Sequence, residues 1–260
     1  MTSPLKRAIA LLIATVTTLT LTTRSVHSDS PDTPVRVLVY GDSNTWGWVP
    51  TESGFPTTRF LSEQRFPGVM QRELGPEFDI IENGLNNRTT NLDFPEAIDL
   101  VAGGGFNGAR TLPGLLAAHA PLDWVVIMLG TNDLRAPFHR TATEAAAAIA
   151  PLIDIVHDSG GSVANTYDAP RVLIVAPPRI GNMPHPEMAA AFSDAERTSQ
   201  GFAAAYAAVA EAAAVPFLDA TEIIGVTAGW DGIHLSAEQH QRLGQTLAIA
   251  LYTSTASAPD

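Results

Sequence analysis

A serine, an aspartate three residues before a histidine, and a distant asparagine can together carry out acyl chemistry if a fold brings them to one place. Ser43 stands in Gly41-Asp42-Ser43-Asn44, directly after the apolar run Val35 to Tyr40. Asp231 and His234 share the segment Asp231-Gly232-Ile233-His234 near the C-terminus, and Asn132 sits in Gly130-Thr131-Asn132-Asp133. A serine hydroxyl is a weak nucleophile until a base takes its proton, and the base needs a partner that fixes its tautomer. His234 is the candidate base and Asp231 the group that orients it. The negative charge that develops on an attacked carbonyl needs aimed N–H donors. The Asn132 amide, the Ser43 N–H and a backbone N–H near Asn87 are available. Each block also has a plainer reading. Gly, Asp, Ser and Asn are turn formers, Asn132-Asp133 could cap a helix, and Asp231 could close a turn with Gly232.

The elements that must position these residues separate the readings. Five short apolar runs, Val35–Tyr40, Phe78–Glu82, Trp124–Leu129, Arg171–Ala176 and Pro216–Asp219, are bounded by Gly, Pro, Asn or Asp. Continuous apolar runs of that length suit strands buried on both faces. Helix-like stretches alternate with them: Phe66–Leu74, Leu112–His119, Thr141–His157, a long Ala-rich stretch Glu187–Ala214, and Ser236–Tyr252. Thr141 with Glu144, and Ser236 with Gln239, have capping-box spacing. The alternation predicts α/β: a three-layer α/β/α sandwich with a central five-stranded parallel sheet, flavodoxin-like. In such sheets ligands bind outside the carboxyl ends of the strands. Ser43, Asn86-Asn87-Arg88, Asn132, the Pro177–Pro186 loop with His185, and Asp231/His234 all follow strands in that sense. The single domain spans 35–252, after a lead-in at 29–34 and before a frayed tail at 253–260.

Gly-Asp-Ser-Asn after the first strand, Gly-Thr-Asn-Asp after the third and Asp-x-x-His near the C-terminus resemble the GDSL/SGNH hydrolase family. The strings Gly47-Trp48-Val49-Pro50, Ile127 to Asp133 and Pro184-His185-Pro186 resemble its bacterial arylesterase/acyltransferase branch. The resemblance covers Val35 to Leu251. It implies a Ser43–His234–Asp231 triad and an oxyanion hole of Ser43, Asn87 and Asn132. Aligned on the family's second block, Asn87 takes the place of the usual glycine donor, and a left-handed backbone suits Asn. Gly84 is the alternative donor. Asn44 replaces the family's more usual Leu. Asp42 is expected to hold the nucleophile loop through backbone hydrogen bonds, and Asp133 to be structural. Trp46, Trp48 and His185 are candidate pocket walls, although tryptophans are more often core residues. His119, His139, His157 and His240 are expected on the surface. The branch implies short acyl esters, transfer to alcohols as well as water, and homo-oligomers whose neighbours narrow the pocket, with 50–66 and 91–111 as candidate contact segments.

Composition narrows the partners. The 260 residues are 45% hydrophobic and 16% charged, a globular balance. Lys6 and Arg7, the apolar Ala8–Leu21 and the small-residue site Val26-His27-Ser28 form a secretory signal pattern over 1–28, and the apolar run, at fourteen residues, is short of the roughly 20 of a membrane span. Its removal leaves 12 basic against 27 acidic residues, a net charge of −15. That acidity disfavours nucleic acid and anionic membranes and makes a neutral or apolar ester the easier substrate. The expected location is secreted or periplasmic. Cysteine is absent, so neither disulfides nor a lipidated N-terminal Cys can form. No His-Glu-x-x-His or His/Cys cluster suggests a metal, and no cofactor is required. Thr45 in place of a second glycine removes the α/β-hydrolase elbow, and Gly103-Gly104-Gly105 lacks a following Gly-Lys. Three functions are compatible with these residues: a secreted serine esterase/acyltransferase, an extracellular polysaccharide acetyl esterase on the same fold, and a catalytically silent binding protein.

Overall fold

The computed structural model describes residues 33–54 and 56–256, so the signal-peptide reading over 1–28 lies outside the described residues. Pro34–Asp260 is one compact unit and carries the whole sheet. The first strand, β1 (Val35–Gly41), is almost wholly apolar because helices cover both of its faces. Leu38 and Tyr40 point into one core, with Val125 and Ile127 of β3 (Trp124–Met128) and Ile174 of β4 (Arg171–Ala176). Val37 and Val39 point into the other, with Val126, Leu173 and Val175. That alternation is the period-two geometry of a strand read out on two buried faces. β2 (Phe78–Gly84) and β5 (Phe217–Asp219) complete a parallel five-stranded sheet in the order β2-β1-β3-β4-β5. This is the flavodoxin-like order.

The order matters for the site. The chain leaves β1 for β2 on one side, then crosses back to β3 on the other, so the crevice opens between the ends of β1 and β3. Register aligns Gly41 with Met128 on one side and with Gly84 on the other. The loops carrying Ser43, Asn87 and Asn132 therefore leave the sheet side by side.

Helices follow the predicted pattern with revised bounds. One-turn α1 (Ser43–Trp46) comes straight off β1, and α2 (Phe66–Leu74) packs against the C-terminal helix α10 (Ala237–Ala256) on one face. On the other face α3 (Gly108–His119) packs on α5 (Ala150–His157), and α4 (Ala142–Ala147) packs on α8 (Phe202–Ala212). Both predicted capping boxes form, at Thr141/Glu144 and at Ser236/Gln239.

Four expectations need correction. The helix expected over Thr141–His157 breaks after Ala147. Pro151 has no N–H to offer the Ala147 carbonyl four residues earlier, so the ladder stops there. The long helix expected over Glu187–Ala214 is three: α6 (Pro186–Ala191), α7 (Ala195–Thr198) and α8. The first break falls where Phe192 leaves helical geometry and buries its ring. The tail expected to fray from 253 instead continues α10 to Ala256, held where the Trp124 indole donates to Thr255 Oγ1 at 3.2 Å and Arg171 donates to the Ser254 carbonyl. His240, expected on the surface, is fully buried. Its Nδ1 accepts the Phe66 N–H at 3.3 Å, an amide that the first turn of α2 cannot satisfy itself. Between β5 and α10 runs one more short helix, α9 (Ala220–Ile224).

Candidate active site

Ser43 is the first residue of α1. The Asp42 carboxylate caps this turn by accepting the Asn44 N–H at 2.9 Å, as expected for a residue that holds the loop. Gly47 closes the turn in the left-handed region, φ 88°, donating to the Ser43 carbonyl. A helix cannot pair its first N–H groups, so the Ser43 amide stands at the start of the turn beside its own hydroxyl. The turn presses tightly onto the strand ends. A Cβ on Gly41 would lie 1.9 Å from Thr45 Oγ1, and one on Gly84 would lie 2.1 Å from Trp46 N. Gly84 is therefore required by this close approach. It does not line the cavity at Ser43.

The candidate base comes from the loop before α10. His234 Nε2 is 2.9 Å from Ser43 Oγ, and His234 Nδ1 is 2.6 Å from Asp231 Oδ2. The other Asp231 oxygen accepts the backbone N–H groups of Ile233 and His234, both at 2.9 Å. Burial pushes the Asp231 carboxyl up, but the hydrogen bonds and charge of His234 with these two amides outweigh it and hold it below the usual carboxylate range. Asp231 is thus ionised beside Nδ1, which places a proton on Nδ1 and leaves Nε2 to accept from Ser43. The Trp48 ring stacks on the His234 imidazole, centroids 4.7 Å apart and 13° from parallel.

Sequence reasoning overlooked the role of Asn44. Its Oδ1 accepts the Leu235 N–H at 3.0 Å and its Nδ2 donates to the Ile233 carbonyl at 3.4 Å. These are the peptide groups on either side of His234, so the turn that carries Ser43 clamps the His234 loop directly.

The opposite wall comes from the loops after β2 and β3. Asn87 has φ 65°, the left-handed conformation foreseen for it, and lines the cavity with Ser43 and Asn132. Asn132 Nδ2 donates one hydrogen to the Arg88 carbonyl at 3.1 Å, which fixes the amide and leaves its second N–H for the cavity. Arg88 is buried below, a second residue that sequence reasoning passed over. Its guanidinium holds the carbonyls of Gly41 at 2.7 Å and Asn83 at 2.6 Å and lies 4.2 Å from the centre of the Tyr40 ring. Burial lowers its pKa, while the neighbouring Tyr40 and Asp42 act in the other direction. Asp42 is itself fully buried, and burial raises its carboxyl to about 6 against the opposing pull of the Asn44 amide, His234 and Arg88. Asp133 is structural, as expected: it accepts from Thr90 and pairs with Arg140 at 2.6 Å.

Ser43, Trp48, Asn132, His234, Met188, Phe192 and Ile233 enclose a cavity of about 50 Å³, which Asn86, Asn87 and Arg135 also line. Two expected pocket residues lie outside it. Trp46 packs under the Arg59 guanidinium, 5.2 Å from its ring centre. His185 instead packs against Gly54, whose added Cβ would meet its ring at 3.2 Å. The apolar walls Met188 and Phe192 escaped sequence reasoning because they were assigned to one long packing helix. The break at Phe192 is what turns that ring to the site. Among the described residues no group of three His, Cys, Asp or Glu could hold a metal ion, and no helix is long and apolar enough to cross a membrane.

Residues 39–242 match the model of the GDSL-like Lipase/Acylhydrolase family. Among solved structures, the native aryl esterase of M. smegmatis is 44% identical with a TM-score of 0.80, over 84% of this chain and 98% of that one. A carbohydrate acetylesterase from Sinorhizobium meliloti is 43% identical with a TM-score of 0.80, over 84% and 99%. A carbohydrate acetylesterase family member from the same organism is 35% identical with a TM-score of 0.76, over 84% and 97%. Comparison with curated proteins gives no significant match.

Proposed function

Because the chain belongs to the GDSL-like lipase/acylhydrolase family and is a carboxylic ester hydrolase, we propose that it cleaves short-chain esters through an acyl-enzyme on Ser43. The observation that carries this reading is the continuous line from Ser43 Oγ through the His234 imidazole to the Asp231 carboxylate, with links of 2.9 and 2.6 Å. Ser43 Oγ attacks the ester carbonyl while Nε2 takes its proton, and the Asp231 carboxylate stabilises the imidazolium. The oxyanion is met by the Ser43 and Asn87 N–H groups and by the Asn132 amide. When the tetrahedral species collapses, the C–O bond to the alcohol breaks and His234 returns the proton to the leaving oxygen. Water, or a second alcohol, then repeats these steps on the acyl-enzyme, with His234 again as base. The apolar walls Trp48, Met188, Phe192 and Ile233 favour an organic alcohol over water, which supports acyl transfer.

The cavity limits the acyl group. About 50 Å³ holds only a few water-sized groups, which suits acetyl and propionyl better than long chains. We infer export of the mature protein from the basic, apolar and small-residue pattern over 1–28, to be checked by fractionation and N-terminal sequencing.

The test uses p-nitrophenyl acetate, butyrate and octanoate beside Ser43→Ala, with and without benzyl alcohol. Activity should fall steeply with chain length, drop by about 10³-fold or more in Ser43→Ala, and yield benzyl acetate when the alcohol is added. Activity unchanged by Ser43→Ala would refute the mechanism. A second reading, an acetyl esterase acting on polysaccharide, is favoured by the S. meliloti relative at 43% identity and by the small acyl cavity. Acetate release from acetylated xylan faster than from the aryl ester would select it. Failure of Ser43 to react with an organophosphonate would select the silent binder.

A further inference from the structure

Among the described residues, Arg135 is a cation at the Ser43 cavity with no anion of its own. Among the described residues its guanidinium makes one hydrogen bond, to Asn87 Oδ1 at 3.3 Å, and no ion pair. It lies 4.9 Å from the centre of the Phe192 ring and 5.7 Å from that of Phe94, so aromatic faces, not carboxylates, surround it. Nearby arginines are paired: Arg140 with Asp133 at 2.6 Å and Arg197 with Asp194 at 3.2 Å. A guanidinium carries five N–H donors in a fork that matches a carboxylate. Holding one half-desolvated and mostly unused is costly unless an anion arrives. Burial accordingly lowers its pKa.

Its position says which part of a substrate it would meet. Arg135 lines the cavity of about 50 Å³ at Ser43 and also a more open groove of about 470 Å³ formed with His139, Arg140, Thr143, Asp194 and Arg197. The small cavity cannot hold both halves of an ester, so the half that extends beyond it passes Arg135. With a short acyl group inside, that half is the alcohol. Resting on the Ser43 mechanism proposed above, we propose that Arg135 is a specificity determinant for short-chain esters whose alcohol portion carries a carboxylate, such as an acylated hydroxy acid or acidic sugar. The molecule is strongly acidic as a whole, so an anionic substrate needs such a local cation to be bound.

The test compares kcat/KM for 4-acetoxybenzoate with that for 4-acetoxybenzamide, which differ in charge and hardly in shape. The protein should favour the carboxylate by about tenfold, the order expected of one charge-assisted bidentate contact. Arg135→Gln should bring the ratio to about one or below, and Arg135→Lys, which keeps the charge without the fork, should give an intermediate ratio. Monophenyl glutarate against phenyl pentanoate, corrected for spontaneous hydrolysis, places the charge on the acyl side, where no preference is expected. Equal rates on the first pair, an equal loss on both esters in Arg135→Gln, or a preference confined to the acyl-side pair would each overturn the proposal. Ser43→Ala run on 4-acetoxybenzamide separates the two readings. If it abolishes hydrolysis while the charged pair shows no preference, the inference fails alone. If it does not, the mechanism beneath it fails.

Discussion

Asn44 ties the nucleophile turn to the base loop without touching the reacting atoms. Its amide satisfies the Leu235 N–H and the Ile233 carbonyl, buried peptide groups that flank His234. Asn44→Leu would restore the family's usual side chain and keep the branched shape, yet leave both groups unpaired away from water. An orphaned buried donor or acceptor costs about 1–3 kcal/mol. We therefore expect Asn44→Leu to lose about 2 kcal/mol in urea unfolding and about tenfold in kcat with KM little changed, because a loosened His234 no longer meets Ser43 at 2.9 Å. Full retention of both stability and kcat would show that packing alone holds the loop. The Ser43–His234–Asp231 line was legible in the sequence because its parts lie in two compact blocks, Asp42–Asn44 and Asp231–His234. The left-handed Asn87 was legible from the resemblance, which set an Asn where the family's second block usually has Gly. Asn44 was not, since its partners lie 189 and 191 positions away and a short polar residue beside a nucleophile reads as turn chemistry. Arg135 was equally opaque. Nothing in Leu134-Arg135-Ala136 tells a solvated arginine from one that lines a cavity.

At the scale of elements, strands were easier to read than helices. A strand buried on both faces writes a continuous apolar run into the sequence, whereas a helix break is written by single residues. Pro151 signals one such break. Phe192, an apolar residue in an apolar stretch, gives no sign of the other. The junction of α2 and α10 shows the same limit. His240 looked like a polar residue on a C-terminal helix, but it lies between the rings of Phe60 and Phe66, at 5.2 and 6.1 Å, and accepts the first amide of α2. Burial first, then the charges of His234 and Arg65, lowers its pKa to about 3. The folded state thus keeps this imidazole neutral where the unfolded chain, with a pKa near 6.5, binds a proton. The stability it contributes is complete above pH 6.5 and is lost as pH falls toward 3, at about 1.4 kcal/mol per unit. His240→Gln, which keeps an acceptor for Phe66 and does not titrate, should be less stable than the unsubstituted protein at pH 7 but lose stability more slowly between pH 6.5 and 4. Urea unfolding across that range checks it. Parallel pH curves for the two proteins would mean that α2 and α10 do not hold His240 neutral.

The whole molecule sets 27 acidic residues against 15 basic ones, and two electrostatic effects compete over its surface. Ion pairs such as Arg72–Glu73, Arg110–Asp93 and Arg197–Asp194 are attractive but exposed, and such pairs are worth about 0–1 kcal/mol each. The better-buried pairs Arg65–Glu82 and Arg140–Asp133 are screened less. Against the exposed pairs stands the mutual repulsion of the unpaired acids. A net charge of −12 for the full chain, or −15 without residues 1–28, destabilises the compact state. Salt weakens both effects, with a screening length that shrinks to about 10 Å at 0.1 M. Among the described residues unpaired acids outnumber the exposed pairs, so relief of repulsion should win. The Tm should rise by a few degrees between 20 and 300 mM sodium chloride at pH 7, measured by calorimetry. Chloride salts of sodium and potassium should act alike, as screening requires. A falling Tm would mean that the exposed pairs contribute more than the excess charge removes, and that the acidic surface carries little strain of its own.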